Sequence, residues 1–127
     1  MRDWWHWGLG FLAGAALASY LTLSCAGGSA QSVEVADALE HASAEYGVSL
    51  GCLRNLAWRE SRFTPWVTNA SGHRGLFQYA DRTWWTMSRW AGFSGASPYD
   101  PYAAAMVTAF ALSHPWTGGL SHWGGRC

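Results

Sequence analysis

Hydrophobic residues recur at helical spacing in several segments of the chain after residue 30. The first such segment follows Ser32, which we predict as its N-cap, and reaches about Tyr46, where Gly47 ends it. The positions predicted to face inward are Val35, Ala36, Leu39 and Ala42. This segment therefore predicts an amphipathic helix.

The second helical segment carries a glutamate where its pattern requires an apolar residue. Leu53, Leu56, Ala57 and Glu60 follow the spacing i, i+3, i+4 and i+7, so Glu60 shares the core-facing stripe. Pro65 predicts that the helix ends shortly after this glutamate. A partly shielded carboxyl group there suits a general acid. The alternative is a glutamate that extends into water from a frayed helix end.

The remaining segments complete a mostly α pattern. Asp81 is predicted as the N-cap of a helix over 82–90, and Asp100-Pro101 begins a helix over 102–113 that is apolar nearly all round. No strand pattern exceeds a few residues. We therefore expect one small helical domain of about five helices, with deep burial of the 102–113 helix.

The first thirty residues have the layout of an export signal. Arg2 precedes an uncharged run over 4–23, and small residues then lead to a predicted cleavage site before Gln31. We assign 1–30 as a signal peptide or membrane anchor and 31–127 as one folded domain. The expected location is outside the cytoplasm, either secreted or membrane-anchored.

Three other fates of this leader stay open, one of which is a weakly hydrophobic, releasable anchor that its Gly- and Ala-rich character resembles. The run over 4–23 is nearly long enough to span a bilayer, and its tryptophans at 4, 5 and 7 suit a membrane interface, so the leader could be retained. Cys25 is a candidate lipidation site, although Thr22 departs from the usual lipidation pattern. Membrane contact through 4–23 is thus one expected possibility.

The globular part has two cysteines, Cys52 and Cys127. In an exported domain two such cysteines usually form a disulfide, and this one would fasten the last residue to the start of the Glu60 helix. The alternative is two free thiols. Two cysteines are too few for a zinc site, and the five histidines are not spaced like metal ligands, so no metal is implied. No cofactor is expected.

Composition limits the classes of function. The 127 residues are half hydrophobic and include ten tryptophans, which suffices for one packed core. By composition alone, the tryptophans at 58, 84, 85 and 90 are expected to be mostly core, with one lining a cleft. The net charge of zero argues against a nucleic-acid partner. We expect a monomer.

Four short motifs follow one another in an order that resembles a known family. They are Glu60-Ser61, the Asn-Ala-Ser-Gly loop at 69–72, Gly75-Leu76-Phe77-Gln78, and Thr83-Trp84. This order is similar to that of the lytic transglycosylases of the lysozyme-like superfamily, in their short actinobacterial or phage-like form. The chain departs from that pattern at His73, at Asp81 and at a missing Ala-Tyr-Asn motif, whose place Tyr102 or Trp123 would fill.

The resemblance implies that 31–127 is a lysozyme-like transglycosylase domain, that the protein is associated with the cell wall, and that peptidoglycan glycan strands are its substrate. Glu60 would act first as general acid and then as base in cleaving the β-1,4 bond between N-acetylmuramic acid and N-acetylglucosamine, leaving 1,6-anhydro ends. A muramidase-type hydrolase using Asp81 or Asp100 as a second carboxylate stays an alternative. A non-catalytic wall-binding module is the other.

Further positions are expected to bind substrate. They are Ser61, Ser71, Gly75, Gln78, Tyr79 and Tyr102. Ser61 would orient the Glu60 carboxylate through a hydrogen bond, and Gln78 would bind an N-acetyl group. Gly75 would allow close approach of a sugar or form a tight turn, and Tyr79 would stack on a sugar face unless it belongs to the core.

Overall fold

The structure, a computed structural model, describes residues 29–127. These residues form four α-helices and two short 3-10 helices, and the extended structure among them is limited to isolated bridges. The α-helices are α1 (Ala30–Tyr46), α2 (Leu50–Ser61), α3 (Asp81–Trp90) and α4 (Pro101–Ser113), and the 3-10 helices are Pro115–Thr117 and Gly119–Trp123. The predicted mostly α fold is confirmed. Instead of about five helices, the described chain has four α-helices and a 3-10 helical end.

The predictions for the leader and for Cys25 lie outside the described residues. Of the helices that the structure describes, none has the length and apolar character needed to cross a bilayer.

Helix α1 begins three residues earlier than predicted. The Ser29 hydroxyl accepts a hydrogen bond from the backbone N–H of Ser32 at 3.3 Å, so Ser29 is the N-cap and Ser32 lies in the first turn. The prediction of Ser32 as the N-cap was wrong, because Ser29 lies three residues earlier and caps the helix instead. Gly47 ends the helix as predicted, with a left-handed φ of 64°.

The two aspartates predicted as N-caps differ in the structure. Asp100 caps α4, accepting hydrogen bonds from the backbone N–H groups of Tyr102 at 2.9 Å and Ala103 at 3.4 Å. Asp81 does not cap α3, because it is already the first residue of that helix. Its carboxylate is instead held by both Nε and Nη2 of Arg74, each at 3.1 Å.

Helix α4 is the centre of the core. Nine of its thirteen residues are buried, as its nearly uniform apolar sequence predicts. The alanines of α4 let α1 pack closely along it, and α1 contributes Val35, Ala38, Leu39 and Ala42. Ala36, predicted to face inward, is only half-buried, and Ala38 takes that place.

The predicted disulfide between Cys52 and Cys127 is present. It joins the first turn of α2 to the last residue of the chain across 75 positions. A crosslink over a loop of this length stabilises the fold by about 4 kcal/mol, since it restricts the unfolded chain.

Breaking the disulfide should therefore lower the free energy of unfolding. For Cys127→Ser we expect a loss approaching about 4 kcal/mol, measured by urea unfolding of the oxidised protein. Adding reductant to the parent protein should reproduce the unfolding curve of the variant. Superimposable curves for the oxidised parent and the variant would show that the crosslink contributes nothing.

Gly75 is required by the packing of two backbone segments. Its φ is +77°, and a Cβ placed there would lie 1.9 Å from the carbonyl oxygen of Pro98. The group that approaches Gly75 closely is thus the loop before α4. The predicted approach of a sugar is not needed to explain this glycine.

Gly75→Ala should destabilise the fold by about 2 kcal/mol or more, because both the backbone angle and the contact with Pro98 are unfavourable. Gly92→Ala is the matched control, since Gly92 has a φ of +82° but no atom within 4 Å of the added Cβ. Thermal or urea unfolding of both variants checks this. Equal destabilisation of the two would leave the Pro98 contact without effect.

Candidate active site

Glu60 lies where the buried stripe of α2 reaches the surface. Leu53, Leu56 and Ala57 are completely buried, whereas the Glu60 side chain is 29% exposed. Its Oε1 atom is 4.0 Å from Nη2 of Arg59. Among the described residues no side chain or backbone group donates a hydrogen bond to this carboxylate within bonding distance, so both oxygens are available to a ligand.

The hydrogen bond expected from Ser61 to Glu60 is not formed. The buried Ser61 hydroxyl points to the carbonyl oxygens of Leu76 at 2.8 Å and Ala57 at 3.1 Å, and it accepts from the Thr64 N–H at 3.1 Å. Ser61 therefore fixes the end of α2 to the turn over 75–79. Its effect on Glu60 is indirect, through the position of the helix end.

Gln78 belongs to the same turn. Its side-chain N–H group donates to the carbonyl oxygens of Gly75 at 2.9 Å and Val67 at 3.3 Å, and its backbone has a left-handed φ of 53°. Among the described residues its amide oxygen accepts no hydrogen bond. That oxygen is a candidate acceptor for the N–H of an acetamido group.

Tyr79 is a core residue, which is the stated alternative to its stacking on a sugar face. It is 2% exposed, its hydroxyl is 2.8 Å from Oγ1 of Thr108, and Trp84 and Trp123 pack against it edge to face. Burial raises the pKa of the Tyr79 hydroxyl well above its usual range, because the ionised form would lose its hydration. The ring has almost no exposed face on which a sugar could stack, although Tyr79 forms part of the wall of the cavity described below.

Arg59 joins Glu60 to the C-terminal end of the chain. Its Nη2 donates to the carbonyl oxygen of Trp123 at 3.1 Å, and its Nη1 donates to that of Arg126 at 3.2 Å. The indole N–H of Trp123 in turn donates to the carbonyl oxygen of Phe77 at 3.0 Å. Sequence reasoning missed Arg59, because the return of the chain end to α2 is visible only in three dimensions.

A cavity of about 220 Å³ opens where these segments meet. It is lined by His73, Gln78, Tyr79, Ala80, Thr83, His122 and Trp123. Glu60 is not itself part of this lining. Nη2 of Arg59 lies 4.0 Å from Oε1 of Glu60 and donates to the carbonyl oxygen of Trp123, a lining residue, so one side chain connects the carboxylate to the wall of the cavity. We call this cavity, together with Glu60, the candidate active site.

A more apolar cavity of about 310 Å³ lies between α1 and the segment after α2. Its lining includes Val35, Leu39, Phe63 and Trp66, and it contains neither a carboxylate nor a histidine. It offers no group for acid–base chemistry. The smaller cavity beside Glu60 is therefore the better candidate.

Two of the predicted substrate-binding residues lie elsewhere. Ser71 is exposed in a turn, where its N–H donates to Oδ1 of Asn69 at 2.9 Å. The hydroxyl of Tyr102 is 3.2 Å from Nε2 of His41 on α1, and its ring neighbours Phe93. Neither residue lines the candidate active site, and a substrate role for either stays a prediction.

The tryptophans are less buried than predicted. Trp84 is in the core, with its indole N–H donating to the carbonyl oxygen of Ala96 at 2.9 Å. Trp58, Trp85 and Trp90, however, are each about half exposed or more. The prediction of a mostly core role was wrong for these three.

Comparison with known proteins gives one match. The family model described as Transglycosylase SLT domain matches residues 37–123, which is more than half of the chain. No curated protein and no solved structure matches the chain. The matched range contains Glu60, the turn over 75–79 and Trp123. The chain therefore belongs to the Transglycosylase SLT domain family, whose glycan-cleaving function is directed at peptidoglycan outside the cytoplasm.

Proposed function

We propose that the protein is a peptidoglycan lytic transglycosylase that uses Glu60 as its only catalytic carboxylate. The bond cleaved is the β-1,4 link between N-acetylmuramic acid and N-acetylglucosamine, and the product carries a 1,6-anhydro end. The observation that supports this most directly is the Glu60 carboxylate at the end of α2, which accepts no hydrogen bond from the described residues and is joined through Arg59 to the wall of the cavity that Gln78 and Trp123 line.

The reaction requires two proton transfers, one from Glu60 and one to it. Protonated Glu60 gives its proton to the glycosidic oxygen as the bond between that oxygen and C1 of the muramoyl sugar breaks. The Glu60 carboxylate then removes the proton of the muramoyl 6-hydroxyl, whose oxygen bonds to C1 and closes the anhydro ring. Glu60 ends protonated, as it began, and no water is consumed.

A hydrolase would normally need a second carboxylate across the scissile bond. Of the two candidates, Asp81 is exposed, and its carboxylate is bound by Nε and Nη2 of Arg74. Asp100 is occupied as the N-cap of α4. Because each has a structural role of its own, the arrangement favours chemistry with a single carboxylate.

Gln78 is suited to orient the substrate. Its side-chain N–H group is fixed to the backbone of Gly75 and Val67, which leaves its amide oxygen pointing away from those two bonds. Both sugars of the glycan strand carry N-acetyl groups whose N–H can donate to such an oxygen. A bound acetamido group would place the glycosidic bond at a defined distance from Glu60.

Glu60→Gln should abolish the release of soluble fragments from purified peptidoglycan. We expect a loss of about a hundredfold or more, because the amide cannot transfer the proton but fills nearly the same volume. Asp81→Asn and Asp100→Asn are the matched controls, since each makes the same change of a carboxylate to an amide. Asparagine also caps a helix well, so Asp100→Asn should stay folded.

The chemical structure of the product ends distinguishes the possible functions. Mass spectrometry of fragments from the parent protein should show 1,6-anhydro ends that are absent from the Glu60→Gln digest. Reducing ends, combined with loss of activity in Asp81→Asn or Asp100→Asn, would instead indicate a muramidase-type hydrolase. Binding without any cleavage by the parent protein would indicate a wall-binding module.

A further inference from the structure

Three large aromatic side chains are exposed together on and beside α3. Trp85 and Trp116 are 61% and 63% exposed, and Trp90 is 49% exposed. The ring centroids of Trp90 and Trp116 are 5.1 Å apart. We call Trp85, Trp90 and Trp116 the α3 platform. Exposed apolar area of this kind, gathered in one place, usually marks a binding surface.

The α3 platform is continuous with the candidate active site. Thr83 and His122 line the cavity beside Glu60 and also line an adjoining cavity of about 240 Å³. That second cavity shares Thr86 and Trp90 with a third cavity of about 370 Å³, which extends to Trp85. Because neighbouring cavities share these wall residues, the three cavities follow one another along α3, and we treat them as one groove that begins at the candidate active site.

The length of the groove suits a polymer. Thr83 lies at the active-site end and Trp90 seven positions later, which corresponds to roughly 10 Å along the helix axis. A ligand that fills only the cavity beside Glu60 would not reach the α3 platform. A chain of linked sugars that leaves that cavity along α3 would pass over it.

The groove also has the chemistry that a sugar chain requires. The faces of indole rings carry partial negative charge and attract the weakly positive C–H bonds on the flat side of a sugar ring. Thr83 and Thr86 can hydrogen-bond to hydroxyl groups. Arg89, whose guanidinium carbon is 4.6 Å from the ring centroid of Trp85, and Arg82 supply cations for the carboxylates of peptidoglycan stem peptides.

We propose that the α3 platform binds the peptidoglycan glycan strand beyond the sugars held at Glu60, with Trp90 and Trp116 stacking on successive sugar faces. This extends the proposed function, on which it rests, by assigning a preference for long strands over short fragments. The active-site cavity selects the bond, and the groove along α3 holds the strand that continues from it.

Binding can be measured without cleavage in the Glu60→Gln background of the full chain. Purified insoluble peptidoglycan is sedimented with Glu60→Gln protein, with or without the added changes Trp90→Ala and Trp116→Ala. We expect the platform variant to bind about tenfold more weakly, because two stacking contacts are lost. Trp66→Ala is the matched control, since Trp66 is 56% exposed but lines the separate cavity between α1 and the segment after α2.

Equal retention of the platform variant and its parent would overturn the proposal, and so would an equal loss in the Trp66 control. Binding of the platform to phospholipid vesicles without any effect on peptidoglycan retention would also overturn it. If the double variant does not fold, as judged by circular dichroism, Trp85→Ala tests the third side chain of the α3 platform instead. That single change should weaken retention severalfold, and unchanged retention would count against the proposal.

Activity separates this inference from the proposed function. With Glu60 intact, Trp90→Ala/Trp116→Ala should cleave long glycan strands about tenfold more slowly at low substrate concentration and cleave the shortest accepted fragment at the parent rate. If the parent protein cleaves peptidoglycan and the variant cleaves long strands at the same rate, the proposed function stands and the proposed role of the α3 platform is wrong. If the parent protein binds peptidoglycan through the α3 platform but does not cleave it, the proposed function is wrong and the binding role of the platform stands.

Discussion

The last turn of α2 is held on two sides by segments that are distant in the sequence. Ser61 bonds to the carbonyl oxygen of Leu76, and Arg59 bonds to that of Trp123. The buried leucines fix the rotation of the helix about its axis, and these two contacts fix the position of its end. The direction of the Glu60 carboxylate therefore depends on packing and hydrogen bonds that Glu60 does not itself make.

Backbone strain is concentrated around the same point. Among the described residues, the non-glycine residues with positive φ are Arg62, Phe63 and Gln78. Two of them directly follow the helix end, and the third completes the turn that Ser61 contacts. Each such residue costs on the order of 1 kcal/mol and persists only where its surroundings determine it. The disulfide at the other end of α2 and the buried α4 supply stability that offsets this cost.

Sequence patterns predicted the helices more accurately than the contacts between distant segments of the chain. The apolar period placed Glu60 correctly at the edge of the core, and the Asp100-Pro101 start of α4 is as predicted, because both depend on local structure. Asp81 was misassigned because its partner Arg74 approaches across a turn. Tyr79 could be either a core or a sugar-stacking residue from the sequence, and Trp85 was wrongly predicted to be in the core. Hydrophobic periodicity and composition do not say which aromatic side chain another segment of the chain covers. The contact of Arg59 with the chain end has no local signal.

The central claim is that one carboxylate cleaves the glycan without water. Digestion of peptidoglycan in water enriched in oxygen-18, followed by mass spectrometry of the new muramoyl ends, tests this most directly. The account predicts that Glu60-dependent products contain no heavy oxygen, because the muramoyl 6-hydroxyl supplies the oxygen that bonds to C1. One heavy oxygen at each new end would show that water attacks C1, and the single-carboxylate mechanism would then be wrong.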